Sequence, residues 1–112
     1  VIELSELLFS LLPNHYSHAI YTSSGSEANE VLIRTVRKFW QVMGQPEKKI
    51  MIGRWNGYHG STLTATALVG MKFMHEMGGT IPDVAHIDEP YWFAHEGDLT
   101  PEQFGLKAAQ QL

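Results

Sequence analysis

The chain has 112 residues, 44% of them apolar and 18% charged, with a net charge of −4 when its six histidines are counted neutral. That is enough for one small domain around one core, with the balance of an ordinary soluble globular protein. Without cysteine there can be no disulfide, zinc–thiolate site or thiol catalysis, and the acidic balance, with no Lys/Arg stripe interleaved with aromatics, gives no case for nucleic acid.

No run approaches the ~20 apolar residues a membrane helix needs. The N-terminus shows no basic region followed by an apolar one, so no secretory signal is read. A cysteine-free sequence fits a reducing compartment, and a cytoplasmic location is expected.

In residues 1–12, Ile2, Leu4, Leu7, Leu8, Leu11 and Leu12 recur at helical spacing with Glu3 and Glu6 opposite. Pro13 and Asn14 end that helix. "HAIYT", residues 18–22, is short, apolar and partly β-branched, and predicts a strand. Residues 25–43 predict the longest helix. Val31, Leu32, Thr35, Val36, Phe39, Trp40 and Met43 form its broad apolar face, so Phe39 and Trp40 are expected in the core. Glu27 and Glu30 precede Arg34, Arg37 and Lys38, the order that the helix dipole favours. Gly44 and Pro46 stop it.

"KKIMIG", residues 48–53, predicts a second strand, and "RWNGYHG", residues 54–60, a loop. "STLTATALVG", residues 61–70, reads as a helix of small residues that lets backbone or ligand come close. "MKFMHEMGG", residues 71–79, is Met-rich. "VAHID", residues 84–88, predicts a third strand, and residues 89–103 a loop. Within that loop's end, Thr100 caps the last helix, Pro101 takes its first position and Gln103 completes a capping box. Strands alternating with helices make an α/β plan with parallel pairing. Both ends of the sequence fall inside helical patterns, beginning at Val1. Residues 1–112 are therefore expected to be part of a single longer domain, cut at both ends.

"TSSGSEANE", residues 22–30, joins the first predicted strand to the long helix. Ser24 and Glu27 have the spacing of a capping box. A cap alone accounts for them. A strand ending at Thr22 and a helix starting within four residues also put free backbone N–H groups and a positive dipole end at a sheet edge, where ligands of open α/β sheets bind. Gly25 allows close approach and Ser26 adds a hydroxyl, which makes a phosphate seat. It is neither a Walker loop nor a dinucleotide fingerprint. "RWNGYHG" should emerge at the same edge. Its Tyr58 and His59, between two glycines, suit stacking on a planar ring, although a turn with an aromatic plug would also explain them. Together the two loops suggest a planar phosphorylated ligand, and pyridoxal phosphate fits.

"SGSEAN", "GYHGST" and "PYWF" followed by "GDLTPEQFG" resemble the class III, fold-type I pyridoxal-phosphate aminotransferases. The likeness runs from about Tyr21 to the end. "GYHGST", "MHE", "IPDVAHIDEPYWF" and "LTPEQFG" are most similar to the polyamine (putrescine):pyruvate aminotransferases and their ω-amine relatives. The resemblance implies a fragment of the cofactor-binding large domain, a mainly parallel sheet with flanking helices. It implies that Gly25 and Ser26 hold the pyridoxal 5'-phosphate phosphate, with Ser24 shaping the turn. Tyr58 would stack on the pyridine ring with His59 beside it, and Trp55 would line the substrate pocket. The full enzyme would be a homodimer moving an amino group from a primary amine to pyruvate or another keto acid.

The family's Schiff-base lysine and pyridine-nitrogen carboxylate lie outside this sequence. Lys48, Lys49, Lys72 and Lys107 stand in the wrong motifs, so no catalytic residue is assigned. The alternatives are a non-catalytic α/β module for a phosphorylated ligand, or a decarboxylase or aminomutase of the same fold. His15 and His18 lack a third partner, so no metal site is read. Met71, Phe73, Met74, His75, Glu76 and Met77 read as core or, by the resemblance, subunit contact. Asp88 and Glu89 read as a solvated loop.

Overall fold

The computed structural model describes residues 1–95, 97 and 99–112, and of Ala94 and His95 only the backbone. The Glu96 and Asp98 positions of the expected loop lie outside the described residues. In chain order the elements are α1 (Ile2–Leu11), α2 (Gly25–Val42), β1 (Met51–Arg54), α3 (Leu63–Leu68), α4 (Lys72–Gly78), β2 (Val84–Ile87), a 3-10 turn (Trp92–His95) and α5 (Pro101–Ala109).

β1 and β2 pair in parallel, with Met51 opposite Val84 and Arg54 opposite Ile87. A parallel pair cannot be closed by a hairpin, and α3 and α4 form the crossover. The expected α/β plan is therefore present. β1 starts three residues later than predicted. Lys48 and Lys49 instead close a turn through the carbonyls of Gln45 and Glu47, and the Lys49 ammonium meets Asp83 at 3.1 Å.

The core is centred on α3. Ala65, Thr66, Ala67, Leu68 and the following Val69 are all buried. Their small side chains let α2, α4, β1 and β2 all pack against this one short helix. Gly70 continues the same logic. A Cβ there would run into the Arg54 carbonyl oxygen and the backbone of Trp55 and Asn56, so only glycine lets the chain cross β1 at this point. Phe104 and Ala108 of α5 complete the buried set with Ile33 of α2. The α5 start is as expected, with Thr100 Oγ1 accepting from the Gln103 N–H and Gln103 Oε1 accepting from the Thr100 N–H.

Two expectations are corrected. Residues 18–22 form no strand. Apolar, β-branched composition suits a pleated surface, yet a strand exists only where neighbouring backbone takes its N–H and C=O groups. This segment is instead exposed and tied to α1 by the Tyr21 hydroxyl and Ser5 Oγ at 3.0 Å.

The second correction concerns α2. Leu32, Phe39 and Met43 are all more than half exposed, whereas Ile33 is 2% exposed. Trp40 is half-buried, edge-on to Phe39, with the Lys48 ammonium over its ring. The face that α2 turns inward is the stripe Ser26, Asn29, Glu30 and Ile33, spaced i, i+3, i+4 and i+7. Its first turns make polar contacts with the chain after β1, and apolar periodicity could not reveal that.

Candidate functional site

The N-terminus of α2 follows a residue in extended conformation, Ser24, at φ −153° and ψ 161°. Ser24 Oγ accepts from the Glu27 N–H at 3.2 Å. The return bond of the expected capping box is displaced by one residue: the Glu27 carboxylate accepts from the Ser23 N–H, at 2.8 Å. Thr22 Oγ1 donates to the Ser24 carbonyl at 3.0 Å, stiffening the entry. The first intrahelical bond is from the Ala28 N–H to the Ser24 carbonyl. The N–H groups of Gly25 and Ser26 therefore precede any intrahelical acceptor and point out of the helix end. A Cβ placed on Gly25 would meet nothing within 4 Å beyond its own neighbours, so the side-chain position at the start of the helix is open.

Ser26 faces the loop that follows β1. Its Oγ accepts the Ser61 N–H at 3.0 Å. A hydroxyl has one proton and two lone pairs. With a lone pair engaged by Ser61, the Ser26 proton remains for an anion at the helix end. Gly60 makes the contact possible. Its φ is +129°, and a Cβ there would lie 2.7 Å from Ser26 Oγ and 3.0 Å from Ser26 Cα.

The same helix face holds the loop at two more points. Asn29 Nδ2 donates to the His59 carbonyl, and Glu30 Oε1 accepts from the Thr64 N–H at 3.1 Å. Burial pushes the Glu30 pKa up, but the Thr62 hydroxyl and the Thr64 and Ala65 donors outweigh it and hold the carboxyl below the usual glutamate range. Thr62 Oγ1 is buried and close enough to favour the carboxylate, yet it lacks hydrogen-bond geometry to any described residue.

Of the residues singled out in the sequence, the structure brings Ser24, Gly25 and Ser26 together at the α2 start and sets the loop carrying Tyr58 and His59 against them. Tyr58 is 60% exposed. The turn before it is fixed by the Gly57 N–H on the Arg54 carbonyl and the Gly70 N–H on the Gly57 carbonyl, at 3.0 and 2.8 Å. Asn56 takes φ 61° there, which asparagine tolerates. The His59 ring is turned inward, its Nε2 buried without a described partner.

Trp55 is not part of this cluster. It stacks on His86, with ring centroids 4.4 Å apart and planes 20° apart, and the Lys72 ammonium lies over its ring. Trp55 lines a separate open cleft of about 640 Å³ with Asn56, Met71, Lys72, Phe73 and Glu89. Below it, His86 Nε2 and His75 Nε2 both reach the Val69 carbonyl, at 3.1 and 2.6 Å.

His75 is thus an internal contact, while Phe73 and Met77 are exposed. Asp88 is exposed in the loop after β2, as expected, and both residues also make hydrogen bonds. The Asp88 carboxylate and N–H both bond Gln111, each at 2.6 Å, and Glu89 Oε1 accepts from Asn56 at 2.7 Å. His15 packs on Tyr16 and His18 bonds Ser17. Among the described residues no three of His, Cys, Asp and Glu come together as metal ligands.

Asn29, Glu30 and Gly60 were missed in the sequence as members of the site. The available signal was three polar residues, Ser26, Asn29 and Glu30, at i, i+3 and i+4 on one face of the first turns of α2. Two free N–H groups, a hydroxyl with a free proton and a positive dipole end can hold a phosphoryl group, and the adjacent exposed ring offers a face to a planar ligand.

The family model described as aminotransferase class-III matches residues 1–112. The chain is 49% identical over 113 residues to putrescine–pyruvate aminotransferase of Pseudomonas aeruginosa, covering 100% of this chain and 25% of that one. It is 39% identical over 85 residues to beta-alanine–pyruvate aminotransferase of the same organism, covering 76% of this chain and 19% of the relative. A PLP-bound aminotransferase mutant from Vibrio fluvialis superposes with a TM-score of 0.88 at 33% identity, over 97% of this chain and 24% of that structure. The chain thus spans about a quarter of the length of the curated relative it matches over its full extent. With the family model matching all 112 residues and relatives alike at this level, the chain belongs to the class-III aminotransferases.

Proposed function

We propose that residues 1–112 form part of the cofactor-binding large domain of an aminotransferase that uses pyridoxal 5'-phosphate. The full enzyme transfers an amino group from a primary amine of the putrescine or ω-amino class to pyruvate or another keto acid. The identity to putrescine–pyruvate aminotransferase across the whole chain supports the amine class. The reading includes a homodimer of the full-length enzyme and residence in the cytoplasm.

The observation that carries the cofactor assignment is Ser26. Its lone pair is engaged by Ser61, its proton meets no acceptor among the described residues, and it lies beside the amide donors at the start of α2, where a Cβ on Gly25 would meet nothing within 4 Å. In this reading the Gly25 and Ser26 N–H groups and the Ser26 hydroxyl hold the phosphate, while Ser24 keeps the helix end in shape. Tyr58 stacks on the ring, and His59 backs the loop. Trp55, on the wall of the neighbouring cleft, faces substrate. When bound, the cofactor supplies an electron sink for the amine's α-carbon. The residues of this chain grip and orient it.

The test uses full-length enzyme. Tyr58→Ala should weaken cofactor retention much more than Tyr58→Phe, because the ring face is the contact. Equal retention in the two variants would remove the stacking role.

A further inference from the structure

Tyr58 is 60% exposed, so side-chain packing does little to fix the pose of its ring. Its backbone must fix it instead. The carbonyl of Gly57, just before it, is held by the Gly70 N–H at 2.8 Å. The carbonyl of His59, just after it, is held by Asn29 Nδ2. The chain then passes Gly60 and is held again where the Ser61 N–H meets Ser26 Oγ at 3.0 Å. Glu30 takes the Thr64 N–H at 3.1 Å, as a carboxylate stabilised by its donors. Ser26, Asn29 and Glu30 are successive members of one helix face, so three points of a single rigid element fix residues 59–64.

We propose that Asn29 is a positioning residue that locks the Tyr58 loop to the phosphate-binding end of α2, so that the ring platform and the phosphate seat form one rigid unit. The inference rests on the cofactor reading above. Asn29 touches neither phosphate nor ring. It acts through the His59 carbonyl, and its influence should fall on the ring half of the ligand.

The experiment measures dissociation constants of pyridoxal phosphate and of unphosphorylated pyridoxal on full-length enzyme, with the visible circular dichroism of bound cofactor as a second readout. Asn29→Asp keeps the shape but replaces the donor by a carboxylate facing a carbonyl. It should weaken both ligands by a similar factor, about fivefold or more for the loss of one hydrogen bond, and change the dichroism. Ser26→Ala should weaken the phosphorylated ligand far more than pyridoxal, whose smaller loss reflects the Ser61 N–H that the same hydroxyl holds. Combining Asn29→Ala with Tyr58→Ala should cost little more than Tyr58→Ala alone, because the first acts through the second.

Asn29→Asp with unchanged affinities and dichroism overturns the proposal, as do additive losses in the double variant. If Ser26→Ala weakens pyridoxal phosphate in either of those cases, the phosphate seat stands and only the coupling is lost. A wild-type enzyme that binds no pyridoxal phosphate overturns both.

Discussion

Replacing Gly60 by alanine puts a methyl group where the chain has no room. The new Cβ would lie 2.7 Å from Ser26 Oγ, 2.9 Å from Ala65 Cβ and 3.0 Å from Ser26 Cα. The hydroxyl can rotate away, but only by giving up the Ser61 N–H. The Ser26 Cα and Ala65 Cβ belong to two helices and cannot rotate at all. The backbone adds a second cost, since φ of +129° is a region that L side chains rarely adopt. Strain of that kind is about 1–3 kcal/mol, and overpacking of a filled site is about 1–3 kcal/mol. The sum, about 2–6 kcal/mol, is a large share of the ~5–15 kcal/mol that stabilises a typical domain.

Gly105→Ala is the internal control. A Cβ there meets nothing within 4 Å, and in the middle of α5 alanine should stabilise by about 0.5–1 kcal/mol. Denaturant titration of the full-length enzyme should therefore move the two midpoints in opposite directions. Gly60→Ala should also release cofactor, because relief of the clash displaces Ser26. A Gly60→Ala enzyme that melts with the Gly105→Ala variant and retains its cofactor would refute the packing account of the loop.

Other consequences can be checked in the same protein. A Cβ on Gly25 meets nothing within 4 Å beyond its own neighbours, so the melting temperature of Gly25→Ala should match or slightly exceed wild type, while cofactor affinity falls because the methyl crowds a phosphate that approaches the helix end closely. Glu30 has a folded pKa below its unfolded value. Its stabilisation is present above the usual glutamate pKa and lost as pH falls through the lower folded value. Glu30→Gln should flatten that acid limb of a stability–pH profile, and an unchanged limb would show that the carboxylate is not the responsible group. Thr100→Ala removes the α5 cap and should cost about 0.5–2 kcal/mol, read by hydrogen exchange of the first turn of α5, with cofactor affinity unchanged.

Local rules carried much of the fold. Capping chemistry placed the start of α5, and apolar periodicity located α1 and α2. Alternating elements anticipated the parallel pairing of β1 with β2. The failures have a common cause, since they concern what each element packs against. "HAIYT" has strand composition, but pairing is a property of the neighbours. Phe39 and Leu32 have the pattern of a buried face, yet α2 turns Ser26, Asn29, Glu30 and Ile33 inward, because hydrogen bonds to the loop after β1 occupy that side.

The candidate site was legible at Gly25, Ser26 and Tyr58, whose residue types suggest the chemistry. Asn29 escaped notice because its role is a bond to a carbonyl thirty residues away. His86 likewise reads as an ordinary strand residue, and only the fold sets it beneath Trp55 and against the Leu68 and Val69 carbonyls.

The central claim is that the start of α2 is a phosphate seat in which the Ser26 hydroxyl donates to the ligand. The most direct measurement compares wild type and Ser26→Ala in the full-length enzyme for affinity to pyridoxal phosphate and to pyridoxal. A charge-assisted hydrogen bond of about 1.5–3 kcal/mol predicts a loss of roughly tenfold to a hundredfold for pyridoxal phosphate, with a clearly smaller loss for pyridoxal. Equal affinity of both proteins for pyridoxal phosphate, or an equal loss for the two ligands, would contradict it.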